Sequence, residues 1–184
     1  ATYRKNNSIV ASSVDDTGAD LAEPAITDEA GKAITQAKTG TIVTVTPSDS
    51  IALGQTTGTY VFSSITCNGT EIVPNGNVYK FVMPDGVANV VVNYKKNYGI
   101  TAEAIDENEN TISSLTPTVS VSAATKGSVV TVTPKSSTAY DTSDIVVMYG
   151  TTTLKLSKNQ SGLYTFTMPD SDVLVTASYL TKHT

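Results

Sequence analysis

The segment Tyr164-Thr165-Phe166-Thr167-Met168-Pro169-Asp170 decides the fold of this chain, because a second copy of it lies upstream. That copy reads Tyr79-Lys80-Phe81-Val82-Met83-Pro84-Asp85 and begins 85 residues earlier (164 − 79 = 85). The flanking sequence repeats too, since residues 40–47 return as residues 127–134. Self-similarity at a fixed period is the sequence signature of a repeated structural unit. The sequence therefore predicts two copies of one small β unit.

The repeat divides the chain at Tyr94, which closes the first copy. We predict a first domain over residues 1–94 and a second over residues 95–184. A unit of about 90 residues can bury a core of its own without a metal or a disulfide. Residues 2–9 match residues 93–100. We therefore expect the chain to begin with the tail of a preceding repeat and to come from a longer array.

The side chains of the repeated segment alternate in polarity. Tyr164, Phe166 and Met168 are apolar, and threonines stand between them. Period-two alternation is typical of strands with one buried and one solvated face, as in antiparallel sheets. This pattern predicts an all-β fold of two tandem small antiparallel β-sandwich domains, immunoglobulin-like, with a β-grasp-like topology as the alternative. In the second copy the predicted strands are residues 100–105, 118–122, 129–133, 145–149, 153–157, 163–168 and 173–179.

Proline and aspartate mark the ends of the repeated strands. Pro84 and Pro169 have no N–H group to donate to a ladder, so each is expected to end its strand. Asp85 and Asp170 can then accept hydrogen bonds from the turn that follows. The repeated motif is therefore interpreted as structural and not as a site. Residues 19–37 show the weakest strand pattern and are predicted to hold a short helix.

Charge and composition exclude several partners. The formal net charge is −5, and the basic residues are scattered, whereas a nucleic-acid partner calls for clustered Lys and Arg. The closest basic pair, Lys95-Lys96, is interpreted as a solvated linker. No stretch is apolar over the roughly 18 residues that a membrane span needs. Cys67 is the single cysteine and cannot form an intrachain disulfide, so we expect a small buried apolar role for it.

The sequence shows no catalytic constellation. Its one histidine, His183, is the second-last residue, where side chains are rarely fixed. No Ser-His-Asp set, zinc-ligand spacing or phosphate-binding glycine loop is present. Catalysis requires a nucleophile, an acid and a base held together. The chain is therefore predicted not to be an enzyme.

One acidic turn has the spacing of a metal site. Asp106, Asn108 and Asn110 offer side-chain oxygens at alternate positions, as calcium loops do. The glycine and the distal bidentate glutamate of such loops are missing. A polar turn between two strands has the same composition. Both interpretations stay open, a weak calcium site and a simple turn, and no other cofactor is predicted.

Two regions are candidates for ligand binding. Tyr140 and Tyr149 flank one loop-strand region and are predicted to form a small adhesive patch, although scattered surface tyrosines are common. The first unit also carries extra residues over 48–59, a loop that contains Leu53 and Gln55. A ligand is expected where the two copies differ.

The end of the second unit carries the resemblance to a known family. The stretch Phe166-Thr167-Met168-Pro169-Asp170-Ser171-Asp172-Val173-Leu174-Val175-Thr176-Ala177 resembles the divergent internalin-B-type repeats of bacterial surface proteins. The first unit departs from the pattern, since Val87 stands where Asp172 stands. The resemblance implies small β domains in tandem and an extracellular location on the bacterial cell surface. It implies no catalysis and supplies no functional residues.

These observations favour a non-catalytic stalk or spacer region of a secreted or wall-attached bacterial surface protein. The alternative is an adhesin-type binding module, in which the divergent first repeat recognises a host protein or a glycan through the 48–59 loop. Neighbouring repeats of the same chain are the other expected partners.

Overall fold

The computed structural model describes residues 5–47, 56–57 and 59–182. The chain divides into two compact units, Ala1–Lys96 and Asn97–Thr184. Strands dominate both units, and the one helical element in the described part is a 3-10 turn, Ser113–Leu115. The prediction of an all-β fold is confirmed.

The first unit is built from two sheets. In one sheet, the first half of β10 lies between β1 and β7. Strand β1 also pairs with β2 and β4, and β7 also pairs with β6 and β8. The other sheet has the order β3-β5-β9. These strands are β1 (Asn6–Val14), β2 (Asp20–Leu21), β3 (Ala25–Thr27), β4 (Gln36–Lys38), β5 (Ile42–Thr46), β6 (Thr56–Thr57), β7 (Tyr60–Cys67), β8 (Thr70–Glu71), β9 (Tyr79–Val82) and β10 (Ala88–Ile105).

The second unit repeats this plan, but it adds a strand to one sheet and, among the described residues, lacks counterparts of β2 and β6. In one sheet, the second half of β10 pairs with β18, and β18 pairs with β14, which pairs with β15. Strand β12 pairs with β10 as β4 does with β1. The other sheet has the order β11-β13-β17-β16, so it contains one strand more than the β3-β5-β9 sheet. These strands are β11 (Thr118–Val119), β12 (Ala123–Thr125), β13 (Val129–Thr133), β14 (Tyr140–Tyr149), β15 (Thr152–Thr153), β16 (Ser157–Lys158), β17 (Tyr164–Thr167) and β18 (Val173–Thr181).

Strand β10 runs through the boundary between the units. Residues 88–96 pair with β1 and β7, and residues 97–105 pair with β12 and β18. Lys95 and Lys96 lie inside this strand, where they pair with Val61 and Tyr60. The interpretation of the two lysines as a linker is therefore wrong. Solvated side chains on a paired backbone and on a free linker give the same sequence pattern.

The sequence predicted antiparallel sheets, but the sheets of both units also contain a parallel pair. In each unit the opening and closing strands pair in parallel, β1 with β10 and then β10 with β18. A short hairpin turn forces two strands to be antiparallel, but strands far apart in sequence are free of that constraint. The alternation pattern reports a half-buried strand and carries no information about the direction of its neighbour.

The short helix predicted over residues 19–37 is also wrong. This stretch forms β2, β3 and β4, joined by turns. Pro24 disfavours a helix interior, and Gly31 adopts a positive φ of 79°, which ends regular structure. Ile26 and Ala37 are buried in the core of the first unit. Tertiary packing of these two side chains thus determines the local structure.

Each unit has its own apolar core, formed by side chains from both of its sheets. In the first unit Val43 of β5 and Ile65 of β7 are both fully buried in one cluster. In the second unit Val130 of β13 and Val147 of β14 are their counterparts. Burial of each such side chain contributes about 1.5–3 kcal/mol. Two sheets enclosing one core make a β-sandwich, the first of the two predicted topologies.

Candidate functional site

The opening and closing strands of each unit form a pair, which we call the terminal-strand pair. In the first unit it runs from Ile9 opposite Ala88 to Val14 opposite Asn93. In the second unit residues 100–105 pair with residues 173–178 in the same way, again over six residue pairs. Both pairs are parallel. The chain therefore enters and leaves each unit through two adjacent, parallel strands.

This geometry determines how a unit responds to traction. When the two ends of a unit are pulled apart, the two parallel strands are drawn along each other in opposite directions. All hydrogen bonds of the ladder are then loaded together, whereas strands peeled from one end would lose them one by one. The side chains on the core side of these strands also hold them in place, because Val90, Ala104 and Val175 are fully buried. The terminal-strand pair is thus suited to resist pulling along the chain.

Side-chain hydrogen bonds reinforce the terminal-strand pair of the second unit. Thr176 Oγ1 donates to Glu103 Oε1 at 3.0 Å across the ladder. Asp172 Oδ1 accepts the backbone N–H of Gly99 at 2.6 Å. The first unit has Val87 in the place of Asp172, and this valine is half exposed. The divergence noted in the sequence therefore removes one acceptor at the start of the ladder.

The repeated Met-Pro-Asp motif ends its strand as expected. Met83 donates its N–H to the Thr41 carbonyl and accepts from the Gly40 N–H, both at 2.8 Å. Met168 makes the same two bonds at the same distances in the second unit. Each methionine is buried, and the proline after it cannot extend the ladder. The exposed carboxylate of Asp170 pairs with Lys126 Nζ at 3.0 Å, and this lysine holds the pKa of Asp170 below its ordinary value.

The calcium candidates are organised as a hydrogen-bonded turn. Asp106 Oδ1 accepts the backbone N–H groups of Asn108 and Asn110, each at 2.8 Å. The Asn110 side-chain amide donates to the same carboxylate, at 3.1 Å to Oδ2. These donors, that amide first, lower the pKa of Asp106. The Asp106 carboxylate thus serves as the acceptor of the turn, and calcium binding there remains a prediction.

The same turn recurs in other loops, a relation that sequence reasoning missed. Asp15, Asp28 and Asn159 each accept the N–H groups two and four residues later through Oδ1, as Asp106 does. The fourth residue of each turn has a positive φ, and it is Gly18, Gly31, Glu109 or Gly162. The sequence does contain a pattern that predicts this turn, because three of the four turns have Asp or Asn followed three residues later by Gly.

The structure does not bring the two candidate tyrosines together. Tyr140 begins β14 and Tyr149 ends it, so about 30 Å of extended strand separates them. Both rings are partly buried and pack on the core of the second unit. Leu53 and Gln55, like most of the 48–59 loop and His183, lie outside the described residues.

A cleft of about 350 Å³ opens in the first unit, where the two sheets come apart. One wall is formed by β9 and the residues that follow it, and it includes Lys80, Val82 and Pro84. The other wall is the hairpin of β7 and β8 and the segment after it, including Cys67 and Ile72. The volume is in the range of small ligand pockets. This cleft coincides with a difference between the two repeats.

Cys67 lies at this cleft and is only partly buried. Burial raises the pKa of its thiol. The thiolate is the nucleophilic form, so this shift makes the cysteine less reactive at neutral pH. The expectation of a buried apolar role is met in part, because Cys67 packs against the core of the first unit but stays partly exposed.

A sequence difference underlies the cleft. The segment from Thr70 to Tyr79 is three residues shorter than the equivalent segment from Thr152 to Tyr164 (79 − 70 = 9 against 164 − 152 = 12). In the second unit this longer segment holds β16, which pairs with β17. In the first unit it holds a tight turn with a single bridge between Asn75 and Val78.

Comparisons with known proteins give few matches. No family model matches the chain, and no curated protein matches it. Among solved structures the chain is similar to domains 3–4 of the Streptococcal High Identity Repeats in Tandem (SHIRT) of a cell surface protein. The sequences are 14% identical, the alignment covers 96% of this chain and 98% of that chain, and the TM-score is 0.24. Neither fold nor function is carried across at that TM-score.

Two features are absent from the described part of the chain. No helix there is long and apolar enough to cross a membrane. No group of three or more His, Cys, Asp or Glu side chains there is placed to hold a metal ion.

Proposed function

We propose that this chain is a non-catalytic stalk segment whose two β units resist traction along the chain. The observation that carries the proposal is the terminal-strand pair, parallel and six residue pairs long in both units. A spacer that only fills distance has no need to keep its entry and exit strands side by side. A stalk under tension benefits, because the ladder then bears the force in shear.

The continuity of the strands supports the same proposal. The closing strand of the first unit and the opening strand of the second are one element, β10, with no loop between them. Every residue from Ala88 to Ile105 belongs to a paired strand. Force that reaches the end of one ladder thus passes directly into the next.

We further infer that the segment belongs to an extracellular protein on a bacterial cell surface. The support is the resemblance of residues 166–177 to internalin-B-type repeats, together with the tandem arrangement of small β units that such proteins use. The test is surface labelling of intact cells that carry the native gene, with an antibody against residues 97–184. Labelling only after lysis would contradict this location.

Force spectroscopy tests the mechanical proposal. The whole chain is stretched from its two ends, and we expect two unfolding events of similar, high force. Thr101→Pro should lower the force of one event. The Ile100 N–H donates to Ser122, away from β18, so the alternating N–H of Thr101 faces β18 and is lost in the proline variant.

A core variant supplies the control for this measurement. Val132→Ala removes buried volume from β13, in the other sheet of the same unit, and lowers the free energy of unfolding. We expect it to reduce the unfolding force much less than Thr101→Pro for a comparable loss of stability. Equal reductions in force, or low forces in the unmodified chain, would contradict the stalk proposal.

A further inference from the structure

The two repeats differ at one edge of one sheet. In the second unit β16 lies antiparallel beside β17, with Ser157 opposite Thr165 and Lys158 opposite Tyr164. The ammonium of Lys158 also lies 4.9 Å from the centre of the Tyr164 ring. In the first unit β9 is the last strand of its sheet among the described residues. The edge at Thr165 is therefore covered by β16 in the second unit, whereas no strand of the described residues lies beside the equivalent Lys80 in the first.

An apolar residue directly precedes the covering strand. Continuing the register of β16 places Leu156 opposite Phe166. Leu156 is partly buried and packs against the core of the second unit. In the first unit Phe81 occupies the place of Phe166, and the cleft lies beside it. The cleft thus occupies the position that a leucine side chain fills in the sister repeat.

The open edge presents backbone groups to a partner. Met83 directs its N–H and C=O toward β5. Because these groups alternate along an antiparallel strand, Phe81 also faces β5, whereas Lys80 and Val82 face the open edge. An unpaired row of this kind is a template for another strand.

We propose that the first unit binds an extended peptide segment of a partner protein by strand addition to the open edge of β9. The segment lies antiparallel to β9 and places a leucine-like side chain in the cleft, between Phe81 and Ile72. Main-chain hydrogen bonds to Lys80 and Val82 supply the pairing, and the apolar side chain supplies the selectivity.

The rim of the cleft favours this occupant. Val73 and Val82 are 81% and 64% exposed, and Val82 stands where the second unit has Thr167. Exposed apolar side chains beside an apolar cleft mark an interaction surface. A second copy of β9 fits less well, because its Phe81 stays in its own core and leaves the cleft unfilled.

The sister repeat provides the probe. A capped peptide with the sequence of residues 152–160, Thr-Thr-Leu-Lys-Leu-Ser-Lys-Asn-Gln, carries the leucine that covers the equivalent edge. We expect it to bind the full chain and to shift the amide resonances of Lys80 and Val82 in an NMR titration. The matched peptide with Leu156→Asp should bind at least about tenfold more weakly, because it cannot bury an apolar side chain.

A substitution in β9, the edge strand of the first unit, completes the test. Val82→Pro removes an N–H that faces outward, so the fold should persist while peptide binding is lost. Thr167→Pro makes the same change in the second unit and should leave binding unchanged. Unaltered binding by the Val82→Pro chain, shifts centred elsewhere, or no binding at millimolar peptide would overturn the proposal. Self-association through β9, seen as a concentration-dependent mass that Val82→Pro abolishes, would also overturn it.

Discussion

In four turns of this protein, one Asp or Asn side chain accepts hydrogen bonds from backbone N–H groups that are not paired in a strand. The aspartate or asparagine that opens each of the four turns binds two backbone N–H groups through one oxygen. The fourth residue of each turn has a positive φ, and the chain then continues into the next strand. The four turns are therefore comparable sites for measuring what each position contributes.

Glu109 is the exception among the left-handed positions of these turns. Its φ is 63°, in a conformation where a side chain costs about 1–2 kcal/mol relative to glycine. Since glycine also loses more freedom on folding, we expect Glu109→Gly to raise the free energy of unfolding by about 0.5–1 kcal/mol. Denaturant unfolding measures the change. Gly18→Glu is the reciprocal variant and should lower stability by a similar amount; the same sign in both variants would contradict the argument.

Asp15 makes the first turn sensitive to acid. The Thr17 hydroxyl, bound at 2.6 Å, is the main cause that lowers the pKa of this buried carboxyl below its ordinary value of 3.8. A carboxyl whose pKa is lower in the folded state stabilises the fold above its unfolded-state pKa. That stabilisation is lost as the pH falls from about 4 through the folded-state pKa.

Asp15→Asn should therefore reduce the loss of stability of the first unit between pH 6 and pH 3. An asparagine amide can still accept the turn hydrogen bonds, as Asn159 does, and it does not titrate in this range. Thermal unfolding at several pH values measures the effect. Asn159→Asp is the matched control and should add acid sensitivity to the second unit. An unchanged pH profile in the Asp15 variant would contradict the assignment.

At the scale of elements, the presence or absence of β16 should be visible in backbone exchange. The N–H of Thr165 faces β16, and that of Lys80 faces the open edge of β9. We expect the Lys80 amide to exchange with solvent faster than the Thr165 amide in the unmodified chain. Hydrogen exchange followed by NMR gives both rates. Equal protection would mean that some other segment covers β9.

The strands themselves were largely predictable, because alternation is a local property. The stretch over residues 129–133 was predicted with the bounds that β13 has, and the closing strand at residue 173 also begins where expected. The predicted strand at 153–157 is in fact two short strands, β15 and β16, which belong to different sheets. Alternation cannot show a change of sheet, since the partly buried Leu154 and Leu156 keep a period of two across it.

The terminal-strand pair and the cleft were not predictable in this way. The parallel register of β1 and β10 joins residues almost 80 positions apart, and no local pattern encodes it. The deletion before Tyr79 is visible in the sequence. Its consequence depends on Ser157 and Lys158 forming a covering strand in the other repeat. The rule that a ligand should be sought where the copies differ remains a prediction, and it now designates β9.

At the scale of the whole chain, each unit should fold by itself. Among the described residues, the strand pairings of the second unit lie within residues 97–182, and its core cluster is formed by its own side chains. We expect the isolated fragment to unfold cooperatively, with a midpoint close to that of the second unit in the full chain. Calorimetry of both measures this. A fragment without a cooperative transition would show that its stability depends on the first unit.

The strand that spans the boundary also alters what a protease encounters. Trypsin-like enzymes cut after lysine, and they prefer extended segments that they can pull away from the fold. Lys95 and Lys96 would offer such a site in an open linker. Instead both residues pair with β7, and the Lys96 N–H is bound by Asp16 at 2.9 Å. The junction that looks most vulnerable in the sequence is therefore protected as long as the first unit stays folded.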